Sequence, residues 1–199
     1  MFNVKFVAPS WNDIYDMSLK LAVKIDESGF KPQVIVGIAR GGWVVARLLS
    51  DFLDVPRVAS LRVEFYKSIY ETERKPILSQ PLSTNVNGLN VLLADDVADT
   101  GSSLILARDH ALNAGAKEVR IATLYYKPWS QIKPDYYVAK TDAWIIFPHE
   151  IRETIEKVTD KLIKEGVKGD GLKNFLLAIG IKEELVNYFL PKVLAKLQA

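Results

Sequence analysis

Residues 91–103 run Val91-Leu92-Leu93-Ala94-Asp95-Asp96-Val97-Ala98-Asp99-Thr100-Gly101-Ser102-Ser103. An apolar run delivers two adjacent carboxylates, and a third opens a turn rich in hydroxyl groups. Backbone N–H groups at a helix N-terminus, joined by the hydroxyls of Thr100, Ser102 and Ser103, make a phosphate cradle that needs no net positive charge. Carboxylates beside such a cradle would repel the anion, so their natural use is to accept hydrogen bonds from alcohols. A phosphorylated sugar satisfies both halves. The plainer alternative makes Asp95 and Asp96 solvated loop acids and Asp99 the cap of the following helix. It accounts for each acid alone but not for the whole stretch.

The surrounding pattern must place these groups. Asn12 or Asp13 can cap a helix through Ile14, Met17, Leu21, Val23 and Ile25 that stops near Gly29. Residues 33–38 are β-branched and apolar throughout, as in a strand covered on both faces, and Gly41-Gly42 turns the chain into a helix over 43–53. Strands are expected over 57–65, 90–94 and 118–125, with a helix over 102–113. Residues 66–88 show no clean period and read as a long loop, within which 66–81, with Lys67, Arg74 and Lys75, either closes over reactants or carries solvated loop charges. Strands alternating with helices predict an α/β fold with a mainly parallel sheet, whose ligands sit beyond the carboxyl ends of the strands. Residues 150–166, 171–180 and 182–197 read as three amphipathic helices. This divides the chain into residues 1–149 and a helical C-terminal region, 150–199. Residues 95–99 also match the DDxxD pattern of prenyl-chain enzymes. There the acids sit on long helices in two copies, whereas here an apolar strand precedes them and no second copy exists.

Residues 91–103 resemble the PRPP-binding signature of the type I phosphoribosyltransferases: an apolar strand, two acids, then D-T-G-x-S/T. PRPP is 5-phosphoribosyl 1-diphosphate. The resemblance implies the type I phosphoribosyltransferase fold, with Asp95 and Asp96 on the ribose hydroxyls and Ala98, Asp99, Thr100, Gly101, Ser102 and Ser103 around the 5-phosphate. It also makes Asp99 the acceptor of the proton on purine nitrogen 7. In human-type hypoxanthine enzymes a lysine usually stands at the position of Ser102, so phosphate binding here rests more on amides and hydroxyls. Residues 38–42 resemble the family's pyrophosphate loop, with Arg40 and Gly41 as donors and a cis peptide expected between them.

Purine-specific members, especially the xanthine-guanine type, carry a lysine after the fourth strand and an aromatic further on. Lys127, Trp144 and Ile145 fit as base-binding residues, with Lys127 donating to an exocyclic oxygen and Trp144 stacking on the ring. Core packing is the alternative for Trp144, and an exposed strand end for Lys127. The helical tail resembles crenarchaeal purine phosphoribosyltransferases, some of which use adenine. The expected reaction joins a purine to PRPP, giving a nucleoside monophosphate and pyrophosphate, with 6-oxopurines ahead of adenine. Mg2+ is implied mainly through PRPP, without an assigned protein ligand. A protein sensing PRPP or nucleotides without turnover is the competing class.

Composition bounds the rest. Of 199 residues, 49% are hydrophobic and 25% charged, with a formal net charge of +2, so bulk electrostatics predict neither nucleic-acid nor membrane binding. Without cysteine there is no thiol chemistry, and His110 and His149 are too far apart in sequence to suggest a histidine cluster. The start at Met1-Phe2-Asn3 lacks a signal-peptide pattern, so a cytoplasmic protein is expected, and the resemblance implies a homodimer.

Overall fold

The computed structural model describes residues 4–66 and 75–198. The chain divides into two compact units, Ile14–Thr141, and Met1–Asp13 with Asp142–Ala199.

The larger unit is an α/β sheet. Its strands are β2 (Val34–Ala39), β3 (Val58–Tyr66), β4 (Lys75–Gln80), β5 (Asn90–Ala98), β6 (Glu118–Tyr126) and β7 (Tyr136–Lys140); β1 (Phe6–Val7) precedes them in the other unit. The order is β4-β3-β2-β5-β6-β7, parallel except for the antiparallel β3·β4 edge. After β2 the chain builds outward through β3, then returns to lay β5 on the other side of β2. That reversal is a topological switch point, where open α/β sheets leave a crevice at the carboxyl ends of their strands.

Helices α1 (Trp11–Glu27), α2 (Gly42–Phe52) and α3 (Ser102–Asn113) flank the sheet elements in sequence. The central strands are apolar on both faces: β2 is buried at every position, as strands covered on both sides must be. Alternate residues Val34, Val36, Ile38, Val91 and Leu93 pack in one cluster with Leu104 and Ala107 of α3. Their neighbours Ile35 and Leu92 are equally buried and, by strand alternation, face the opposite side.

Several sequence expectations change. The α1 cap is Ser10 rather than Asn12 or Asp13: Ser10 Oγ accepts from the Asp13 N–H at 3.2 Å, and Asp13 Oδ2 accepts from the Ser10 N–H at 2.8 Å. This reciprocal box satisfies two donors at once. Val23 is exposed. Residues 66–88 are not one loop, because Lys75–Gln80 returns as β4, pairing Val63 with Leu78 and Phe65 with Pro76. Only Ile77 and Leu78 are apolar in that strand, too few to show a period of two, and Pro76 is at home on an edge strand. Lys75 lies exposed in β4, whereas Lys67 and Arg74 lie outside the described residues.

The second unit contains a two-residue parallel ladder between β1 and β8 (Trp144–Ile145), and α4 (Ile151–Lys164), α5 (Asp170–Ala178) and α6 (Glu183–Gln198). Its core gathers Ile146, Ile155, Val158, Leu162, Leu172, Leu176, Val186 and Val193. The expected three C-terminal helices are present. No described helix is long and apolar enough to cross a membrane.

Candidate active site

The acids sit at the carboxyl end of β5, beside β2. Strand β5 does not stop at Ala94 but continues through Asp95 and Asp96 to Ala98. Successive side chains in a strand point to opposite faces, so the two carboxylates separate. Asp95 joins Phe65, Val97, Asp99, Thr100, Gly101, Ser103 and Leu104 in lining a cavity of about 170 Å³. Asp96, only 6% exposed, faces the other way, against the turn between β2 and α2.

That turn is shaped by close approach. A Cβ on Gly41 would lie 2.0 Å from Asp96 Oδ2, and one on Gly42 would lie 2.3 Å from the Ala94 carbonyl oxygen. The Gly41-Gly42 pair therefore lets the turn after β2 settle on β5 with the Asp96 carboxylate against the Gly41 backbone. Arg40 is exposed at the start of this turn. The cis peptide lies between Ala39 and Arg40, one bond earlier than the resemblance implied.

Gly101 opens α3 with φ +84°, a conformation that strains side-chain-bearing residues, and a Cβ there would meet Ser130 Oγ at 2.7 Å. Glycine also brings no capping side chain. First-turn N–H groups of a helix have no intrahelical acceptor, and here they open beside the Thr100 and Ser103 hydroxyls, a suitable seat for an anion. Thr100 Oγ1 also accepts from the Ser102 N–H at 3.4 Å, and its hydroxyl donates to Ser102 Oγ at 3.3 Å. Ala98 is fully buried and anchors the turn from below.

Lys127 follows β6 and is 6% exposed. Its backbone N–H donates to the Ala98 carbonyl at 3.0 Å, and the Gln131 N–H donates to the Thr100 carbonyl at 2.9 Å. The chain over 127–131 is thus strapped to the two residues flanking Asp99. Within it the Ser130 N–H bonds to the Lys127 carbonyl at 3.1 Å, a four-residue turn with Pro128 at the position proline favours. This turn presents Trp129, which the sequence reading passed over: its Nε1 donates to Asp99 Oδ1 at 3.0 Å. The available sequence signal was a proline-led turn directly after Lys127.

The structure therefore brings Asp95, Asp99, Thr100, Gly101 and Ser103 to one cavity, sets Asp96 against Gly41, and ties Lys127 to Ala98. Trp144 and Ile145 belong to the other unit. There Trp144 is half-buried, with its ring 6.4 Å from that of Phe6, while Ile145 is buried.

The model of the phosphoribosyl transferase domain matches residues 10–168, and the chain belongs to that family. The match stops before α5. Among curated relatives, the xanthine-guanine phosphoribosyltransferase of Cereibacter sphaeroides is 31% identical over 149 residues, covering 71% of this chain and 85% of the relative. Among solved structures, a purine phosphoribosyltransferase from Pyrococcus horikoshii is 38% identical with a TM-score of 0.66, covering 73% of this chain and 93% of that one. The xanthine-guanine-hypoxanthine phosphoribosyltransferase of Helicobacter pylori, 21% identical with a TM-score of 0.63 over 76% of this chain and 98% of its own, shares the fold.

Proposed function

We propose that this protein is a purine phosphoribosyltransferase, a pentosyltransferase that joins a purine base to PRPP with release of pyrophosphate and a nucleoside monophosphate, preferring 6-oxopurines. The observation carrying this reading is the single cavity where Asp95, Asp99, Thr100, Gly101 and Ser103 meet at the carboxyl end of β5. The purine and xanthine-guanine specificities of its relatives supply the class of base.

In the proposed reaction, purine nitrogen 9 forms a bond to the anomeric carbon as the bond from that carbon to the pyrophosphate oxygen breaks. The electron pair leaves with pyrophosphate, and Asp99 accepts the proton from nitrogen 7 as general base. Asp95 from the cavity side and Asp96 from the Gly41 side of β5 hold the ribose hydroxyls, and residues 98–103 hold the 5-phosphate. Arg40 and the Gly41 N–H donate to the leaving group, where negative charge develops. Lys127 donates to the exocyclic oxygen, and Trp144, with Ile145 beside it, packs on the ring. Side chains at the cavity offer oxygen donors, Asp95, Asp99, Thr100 and Ser103, which suit a hard cation such as Mg2+. Carried mainly by PRPP, that ion would neutralise charge on the departing pyrophosphate. The proposed setting is cytoplasmic, as a homodimer, with residues 1–149 carrying transfer and 150–199 as a helical region.

The test is pyrophosphate release from PRPP and Mg2+ with hypoxanthine, guanine, xanthine, adenine and uracil in turn. Turnover with 6-oxopurines above adenine, and none with uracil, is expected. Turnover with adenine alone reverses the role given to Lys127. No release with any base, despite tight nucleotide binding, marks a sensor and overturns the transferase.

A further inference from the structure

Trp129 is 54% exposed, and its polar edge and its ring face both have partners. Its Nε1 donates to Asp99 Oδ1 at 3.0 Å, and the Lys127 ammonium lies 5.3 Å from its ring centroid. One side chain thus touches both groups proposed to read the base, the carboxylate with its edge and the ammonium with its face. Among the described residues Trp129 is the side-chain hydrogen-bond partner of Asp99. It engages one carboxylate oxygen and leaves Oδ2 for the proton of the base.

The placement is enforced by backbone. The bonds from Lys127 to Ala98 and from Gln131 to Thr100 fasten the backbone of the Trp129 turn on both sides of Asp99, and the indole N–H bond to Asp99 Oδ1 then fixes the side chain on that backbone. On a 6-oxopurine, nitrogen 7 and the exocyclic oxygen share one edge. Reading that edge needs an acceptor and a donor at a fixed separation. Asp99 is exposed on its turn and a lysine stem has several rotatable bonds, so a side chain that touches both groups restricts their separation further.

We infer that Trp129 is a positioning residue for base recognition: through its indole N–H and ring face it sets the Asp99 carboxylate and the Lys127 ammonium at the spacing of the nitrogen 7 and oxygen 6 edge. This rests on the proposed purine transfer and adds a residue to it.

Two variants separate the contacts. Trp129→Phe keeps a ring under Lys127 and deletes the donor to Asp99; Trp129→Leu deletes both. Trp129→Phe is expected to lower kcat about tenfold while the KM for PRPP stays within about twofold, since only orientation of the general base is lost. Trp129→Leu should additionally raise the KM for the 6-oxopurine about fivefold through loss of the cation–π contact. On an Asp99→Asn background, Trp129→Phe should change kcat by less than about twofold, the non-additivity expected of residues acting together. Tm should hold in both single variants. Wild-type kcat in Trp129→Phe, the same loss with or without Asp99, or losses that follow a falling Tm would each overturn the positioning role. A wild-type protein that turns over no base fails the transferase reading itself, and is distinguished from those results by the wild-type assay alone.

Discussion

The turns after β2 and β5 and the helices α4–α6 are built on opposite principles. In the turns, polar groups sit where backbone meets backbone: Asp96 lies on Gly41, Gly42 lies on the Ala94 carbonyl, and Gly101 has no room for a Cβ. In the helices, apolar side chains fill a core of their own, and the charges outside it form exposed pairs such as Lys157–Glu153 at 2.7 Å and Lys164–Asp160 at 2.6 Å. Such pairs contribute little each. The difference teaches where sensitivity lies. The turns should be damaged by adding or displacing a few atoms, with function lost before stability, whereas the helices should be damaged only by emptying their core, with stability lost first.

The largest expected effect tests the helical side. Leu176 is fully buried in the α4–α6 core, and Leu176→Ala should cost about 3 kcal/mol. Thermal melting would show this, while kcat of the folded protein stays within about twofold of wild type, a margin smaller than tenfold in barrier terms. A fall in kcat at unchanged Tm would instead bring the helices into the chemistry. On the other side, Asp99→Asn should lower kcat about a hundredfold with PRPP binding largely intact and little change in Tm. Unchanged turnover would remove its proton role.

Gly41→Ala sharpens the contrast further. One methyl group must displace the Asp96 carboxylate, and the KM for PRPP should rise about tenfold, the effect of misplacing a ligand-holding group. Unaltered PRPP kinetics would separate Asp96 from the ribose. The smallest effect is expected from Glu183→Gln at the start of α6. The hydrogen bond from Lys173 at 2.8 Å holds the Glu183 carboxyl below its ordinary value of 4.5. A carboxyl with a lowered folded-state value adds stability above the unfolded value and loses it as pH falls through the folded one. The small Tm difference from wild type should therefore be present at neutral pH and close progressively below about pH 4.5.

Much of this is legible in the sequence. The runs over 33–38 and 90–94 marked the buried strands, because a strand covered on both faces must be apolar at successive positions, while the continuation of β5 through Asp95 and Asp96 to Ala98 was not marked. The three C-terminal helices were legible from their spacing. What escaped had short or distant causes. Strands β1 and β8 have two residues each, too few for any period, and β4 hides its alternation among polar residues. Trp129 escaped because its bond to Asp99 spans thirty positions and depends on two backbone bonds between loops.

By itself the sequence determined which chemical groups arrive together: carboxylates at the end of a buried strand, hydroxyls and first-turn amides at the start of a helix, glycines where nothing larger fits. These are local properties, set by residue type and by hydrogen bonds over a few positions. Only the tertiary structure decided that Asp95 opens on the cavity while Asp96 rests on Gly41, and that an indole N–H reaches Asp99. Which face of β5 meets which turn depends on the neighbouring strand and helix brought against it, and those come from distant parts of the chain.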